Sequence, residues 1–144
     1  MSSPSASNPS MLNPEIRSTI KRALAYLSIA KFELNRPNDH SVTMTVCMTA
    51  RQAMHSFLRG YLLGNSIPAD RSKSLINLLK QCQKADQGFE TVSLKRVSCN
   101  DLNHKECESE YCLELSDVSA CMEVANQIKA LVLNKLRLNE AEFE

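Results

Sequence analysis

Glycine is scarce in this chain: three residues in 144, alongside no tryptophan and five prolines at positions 4, 9, 14, 37 and 68. An all-β sandwich needs more turn residues than that, and no Gly-rich phosphate loop can be written. No cofactor is expected. Also missing is an apolar run near the length of a membrane span, and residues 1–10 are polar rather than a charged segment leading into an apolar one. The chain is therefore expected to be soluble, cytoplasmic and without a membrane partner.

What is present fits one helical domain. A hydrophobic share of 43% over 144 residues supports one real core and argues against a two-domain enzyme. The six cysteines, at positions 47, 82, 99, 107, 112 and 121, are expected to be reduced thiols, because no export signal accompanies them and the core is large enough to need no staples. The net charge of +1 is a cancellation. Residues 1–98 carry 13 basic against 6 acidic residues (+7), and residues 99–144 carry 4 against 10 (−6). Because these charges lie on helices that must pack side by side, much of the asymmetry is expected to be neutralised within the bundle or across a dimer.

The spacing of apolar residues predicts an all-α, up-and-down bundle of four to five helices. Residues 1–12 read as a disordered N-terminal tail, 13–138 as a single helical bundle domain, and 139–144 as a C-terminal tail. Asn13-Pro14-Glu15 is a helix start, and Ile16, Ile20, Ala23, Leu24, Leu27, Ala30 and Leu34 form its apolar stripe to about residue 35. Pro37 separates it from a second helix capped by Asn38 or Asp39, which bears Val42, Val46, Ala50, Ala53, Met54, Phe57, Tyr61 and Leu62 and ends at Gly64-Asn65, a left-handed stop signal. Asp70 or Ser72 is expected to cap a third helix carrying Leu75, Leu78, Leu79 and Cys82. Residues 88–103 read as an extended or irregular segment, 103–114 as a short acidic helix, and Ser116-Asp117 as the start of a last helix that turns Val118, Cys121, Ala125, Ile128, Val132 and Leu136 inward. Met44, Met48, Met54 and Met122 are expected to fill the core.

In the second helix, alanines at 50 and 53, the pair Phe57-Leu58, Arg59 and the run Tyr61-Leu62-Leu63-Gly64 precede a Pro68-containing loop and the helix Ser74-Leu75-Ile76-Asn77-Leu78-Leu79. Together with the final helix Ala120-Cys121-Met122-Glu123-Val124-Ala125-Asn126-Gln127-Ile128, this resembles the HEPN domain, the higher eukaryotes and prokaryotes nucleotide-binding family, over about residues 14–137. The resemblance implies a helical bundle, often dimeric, found alone, beside minimal nucleotidyltransferases or inside larger proteins. It also implies either a metal-independent ribonuclease, commonly a toxin in a toxin–antitoxin pair, or a noncatalytic module that binds nucleotide or RNA. The nuclease members carry an Arg followed after four to six residues by His. Here Arg36 and His40 are separated by three residues, Arg51 and His55 by three, and Arg96 and His104 by seven, so none has the family spacing.

Arg51, His55 and Arg59 recur at steps of four and form one ridge bordering the core of the second helix. Two guanidinium forks around an imidazole can hold a phosphate, and Arg71 and Lys73 add charge at the next helix start. The competing reading is a solvated charged face. Cys99, His104, Cys107 and Cys112 offer four possible zinc ligands within 14 residues, although their spacing matches no finger or knuckle. A nucleophilic pair of Cys107 and His104 is disfavoured, because Glu106, Glu108 and Glu110 would raise the thiol pKa. Cys47, Cys82 and Cys121 fall on or near apolar stripes and read as core residues.

The reading favoured by the sequence is a noncatalytic binding module for a nucleotide, RNA or a protein partner, expected to be a homodimer, with Arg51, His55, Arg59, Arg71 and Lys73 as its ligand-binding residues. Its alternatives are a metal-independent ribonuclease with a displaced histidine, and an interaction domain with a structural zinc site.

Overall fold

A computed structural model of the chain describes residues 13–35, 40–94 and 115–143. Among them it has four α-helices and no strand: α1 (Pro14–Leu34), α2 (His40–Gly64), α3 (Leu75–Ala85) and α4 (Leu115–Leu136). Two short 3-10 helices, Gln87–Thr91 and Glu140–Phe143, complete the list. This is the all-α bundle that the apolar spacing predicts. The acidic helix expected over 103–114 and the caps expected at Asn38 or Asp39 lie outside the described residues, as do Cys99, His104, Cys107 and Cys112.

Several helix ends among the described residues have local causes. The Asn13 side chain accepts the Glu15 N–H at 2.6 Å and Pro14 occupies the first turn, so one unpaired donor is satisfied and another is absent. The left-handed stop of α2 falls two residues beyond its expected place. Ser66, at φ 62°, takes that conformation, with its N–H on the Leu63 carbonyl and the Ile67 N–H on Leu62. Gly64 serves packing instead: a Cβ there would stand 2.8 Å from Leu136 Cδ2. The same double hydrogen bond closes α4, where Arg137 sits at φ 59° and Leu138 N–H returns to Leu133. The cap of α3 is Ser74, which accepts from Asn77 N–H at 3.2 Å. Asp70 and Ser72 fall short of that position because they build the preceding turn, with Ser72 N–H on Asp70 Oδ1 at 2.9 Å.

Helix α2 is the centre of the bundle, contacted by α1, α3 and α4. Its stripe of Val46, Ala50, Ala53, Met54, Phe57, Leu58 and Leu62 is fully buried against Ile20, Ala23 and Leu27 of α1, Leu78 of α3, and Val118, Ile128 and Val132 of α4. At Gly60 the approach of α1 is so close that a Cβ would come within 2.6 Å of Ile20. Burying core side chains of this size contributes on the order of 2 kcal/mol each. Cys47, Cys82 and Cys121 are core residues, as are Met54 and Met122. Met48 is not: it is 38% exposed, because it lies on the outer ridge of α2.

The chain between α2 and α3 turns back along α2. Arg59 Nε donates to the Ala69 carbonyl at 2.9 Å and His55 Nε2 lies 2.8 Å from the Lys73 carbonyl, so α3 begins beside His55. The Cys82 thiol reaches the Leu58 carbonyl at 3.7 Å, and Tyr61 and Phe89 meet with ring centroids 4.7 Å apart. Asp86 then receives the Gly88 N–H at 2.7 Å and pairs with Lys135 of α4 at 3.1 Å, an ion pair between the basic and acidic halves of the chain. At the other end of the chain the Arg17 guanidinium sits 4.8 Å from the centre of the Phe143 ring.

Candidate functional site

A groove of about 460 Å³ lies between α1 and α2 and reaches the loop that leads to α3. It is lined by Arg22 and Tyr26 of α1, Gln52, His55, Ser56 and Arg59 of α2, and Arg71 of the loop. Three of these carry guanidinium groups, and no carboxylate is among them. A groove of this volume is in the range of small-molecule sites.

The candidate residues do not act alike. Arg59, expected on the border of the core, is only 7% exposed, because its guanidinium is a strut between three elements. Nε donates to the Ala69 carbonyl at 2.9 Å, Nη1 to Thr19 Oγ1 at 3.4 Å, and Nη2 to Glu15 Oε2 at 3.2 Å. Glu15, its ion-pair partner, is itself exposed to solvent. What Arg59 gives the groove is shape. It ties the loop and the start of α1 to α2, so that Arg71 is held on the groove wall.

His55 is the second tie. A carbonyl oxygen can only accept, so the ring nitrogen that faces Lys73 O carries the proton: Nε2–H donates, and Nδ1 is the nitrogen left over. In the neutral ring Nδ1 is an acceptor, and in the cation it becomes a second donor, of use to an anion. Lys73 contributes its backbone carbonyl to this arrangement, and its side chain is not part of the lining.

Arg51 is separated from its ridge partners. It is absent from the groove lining, and its Nη1 points to Cys47 Sγ at 4.0 Å, toward the side of α2 that meets α4. A four-residue step advances slightly more than one helical turn, so successive members of the ridge rotate around α2. Two of the three, His55 and Arg59, therefore reach the groove.

Four lining residues escaped the sequence reading: Arg22, Tyr26, Gln52 and Ser56. Arg22 and Tyr26 stand one helical turn apart, as do Gln52 and Ser56. The packing of α1 against α2 brings the two pairs to the same groove. Among the described residues no ion pair engages Arg22 or Arg71. These two guanidinium groups, with the His55 ring between the loop and α2, make the groove a concave surface of donors beside one aromatic ring.

The same carboxylate logic holds the surrounding turns. Asp70 is kept below its ordinary range first by the Ser72 N–H and then by the Ser72 hydroxyl, and Asp86 by the Gly88 N–H and then by Lys135. Both are acceptors for backbone donors, and neither lines the groove. Among the described residues no three His, Cys, Asp or Glu side chains gather closely enough to hold a metal ion, and no helix is long and apolar enough to cross a membrane.

Comparison with known protein families matches residues 16–136 to the HEPN domain. Comparison with curated proteins and with solved structures returns no match.

Proposed function

The chain belongs to the HEPN domain family, and from that premise we propose that it is a noncatalytic binding module whose groove between α1 and α2 takes the phosphate of a nucleotide or of a single RNA step. The observation that carries this reading is the convergence of Arg22, Arg71 and His55 on one concave surface without a carboxylate in its lining. A phosphate presents acceptors only, and two guanidinium forks supply donors in the geometry it needs. Tyr26 offers a ring face on which a base can lie. Within this reading Arg22, Arg71 and His55 contact the anion, and Arg59 holds the wall in place. Arg51 and Lys73 add positive potential from outside the lining. The homodimer belongs to the same proposal, and light scattering of the purified protein measures its mass.

The test is a titration of the full chain with a fluorescent mononucleotide and with a short single-stranded RNA at several salt concentrations. Binding should weaken as salt rises. Replacing both Arg22 and Arg71 by Ala should cost at least about tenfold in affinity, since a hydrogen bond to a charged group contributes about 1.5–3 kcal/mol. Binding that is unchanged by the double substitution overturns the groove as the site. A parallel incubation with mixed RNA in the absence of divalent metal addresses catalysis. If wild type cuts RNA and His55→Ala does not, the protein is a ribonuclease with a displaced histidine and the noncatalytic reading fails.

A further inference from the structure

Beneath the outer ridge of α2 the side chains of Cys47 and Cys121 meet inside the core, one from α2 and one from α4, with their Sγ atoms 3.4 Å apart. Neither is in a disulfide, and both are buried. We infer that these two cysteines form an oxidisable pair, which closes to a disulfide between α2 and α4 when the protein meets a two-electron oxidant such as hydrogen peroxide. Two thiols at hydrogen-bonding distance need to approach by only about 1.4 Å to reach a bond length of about 2.05 Å.

Arg51 fixes the order of events. Its Nη1 lies 4.0 Å from Cys47 Sγ, and a guanidinium beside a thiol favours the thiolate, which is the nucleophile in this chemistry. The Cys47 thiolate attacks one oxygen of the peroxide and the O–O bond breaks. The departing hydroxide takes up the proton released by the thiol and leaves as water, and Cys47 becomes a sulfenic acid. Cys121 Sγ then attacks the Cys47 sulfur. The S–O bond breaks, the hydroxyl leaves as a second water with the proton of Cys121, and the S–S bond is made. Two thiols and one peroxide give one disulfide and two waters.

Burial sets the rate. With both sulfurs out of contact with solvent, the oxidant enters only through a local opening of the bundle, so oxidation is slow in the folded protein and faster when α4 is loosened by mild denaturant. Cys82 provides an internal comparison. Its thiol is directed at the Leu58 carbonyl rather than at another sulfur, so it has no sulfur within reach on which to close.

The experiment exposes the full chain to hydrogen peroxide, quenches with an alkylating reagent under denaturing conditions, and maps the peptides without reduction. A second protein in which Cys99, Cys107 and Cys112 are replaced by Ser removes competing thiols. In both proteins the expected product has lost two hydrogens and yields a peptide pair linked through Cys47 and Cys121, with Cys82 alkylated. Its unfolding midpoint rises on oxidation and returns on treatment with a reductant, because the cross-link restrains the unfolded chain. In Cys121→Ser the Cys47 sulfenic acid has no resolving thiol and is captured by dimedone. Recovery of Cys47 and Cys121 as alkylated thiols after peroxide treatment, or linked to other cysteines instead of to each other, overturns the inference.

Discussion

Replacing Arg59 by Ala should destabilise the protein by about 3 kcal/mol while removing no residue that the ligand is proposed to touch. The magnitude follows from the three partners. Donation to the Ala69 carbonyl and to Thr19 Oγ1 comes from a buried, charged donor, and each such bond is worth about 1.5–3 kcal/mol. The substitution also leaves the Ala69 carbonyl without its donor, a penalty of about 1–3 kcal/mol that overlaps with the first figure. The pair with Glu15 adds less than about 1 kcal/mol, since Glu15 is 58% exposed and its charge is screened by solvent. These contributions share one side chain and do not add, which sets the estimate at about 3 kcal/mol. For a domain of this size that is a fall of about 10 °C in melting temperature. Thermal unfolding followed by far-ultraviolet circular dichroism measures it, with Glu15→Gln as the comparison and an expected loss below about 1 kcal/mol. An Arg59→Ala protein that melts within about 2 °C of wild type refutes the strut assignment. A Glu15→Gln protein that loses as much as Arg59→Ala relocates the energy from the backbone carbonyl to the ion pair.

Other substitutions separate local effects in the same way. Ser66→Gly should raise stability by about 1 kcal/mol, read from a denaturant midpoint, because Ser66 holds a left-handed conformation that Gly adopts without penalty. Asp86 is held below its ordinary pKa of 3.8 by the Gly88 N–H and Lys135, so its stabilisation is complete above that value and is lost as pH falls through the lower, folded-state pKa. Asp86→Asn should therefore flatten the acid limb of the stability profile below about pH 4 and leave its shape near neutrality unchanged. The Cys82 thiol should resist alkylation in the native protein at pH 8 and react at once on unfolding, since its native pKa lies at about 12. Mass mapping of the modified protein reads that contrast.

The periodic residues were legible because burial imposes one spacing on a helix whatever its neighbours are. The stripes on α2, α3 and α4 are buried where the apolar spacing puts them, that of α1 is buried at Ile20, Ala23, Leu27 and Ala30 and half-buried at Ile16, Leu24 and Leu34, and Asn13-Pro14 starts α1 as capping chemistry requires. The stop signals were harder to place because glycine does two jobs. Gly64 looks like a stop, but close packing against Leu136 claims it, and Ser66 and Arg137 take the left-handed positions instead. The charged ridge was legible only in part. Spacing put Arg51, His55 and Arg59 on one side of α2, whereas the length of a guanidinium side chain let Arg59 turn inward to Glu15 and Thr19 and Arg51 turn toward Cys47. Arg22 and Tyr26 could have been found by pairing the two long helices about Pro37, but no single-helix pattern marks them. Contact between Cys47 and Cys121 joins positions 74 residues apart, and only the packed bundle reveals it.

Binding of an anion in the groove between α1 and α2 is read out by backbone amide shifts in a nucleotide titration. The largest shifts should fall at residues 22–26, 52–59 and 69–73, saturate together, and vanish in the Arg22→Ala, Arg71→Ala double variant. Shifts confined to α4 or to residues 140–143, with those three segments unmoved, would contradict it.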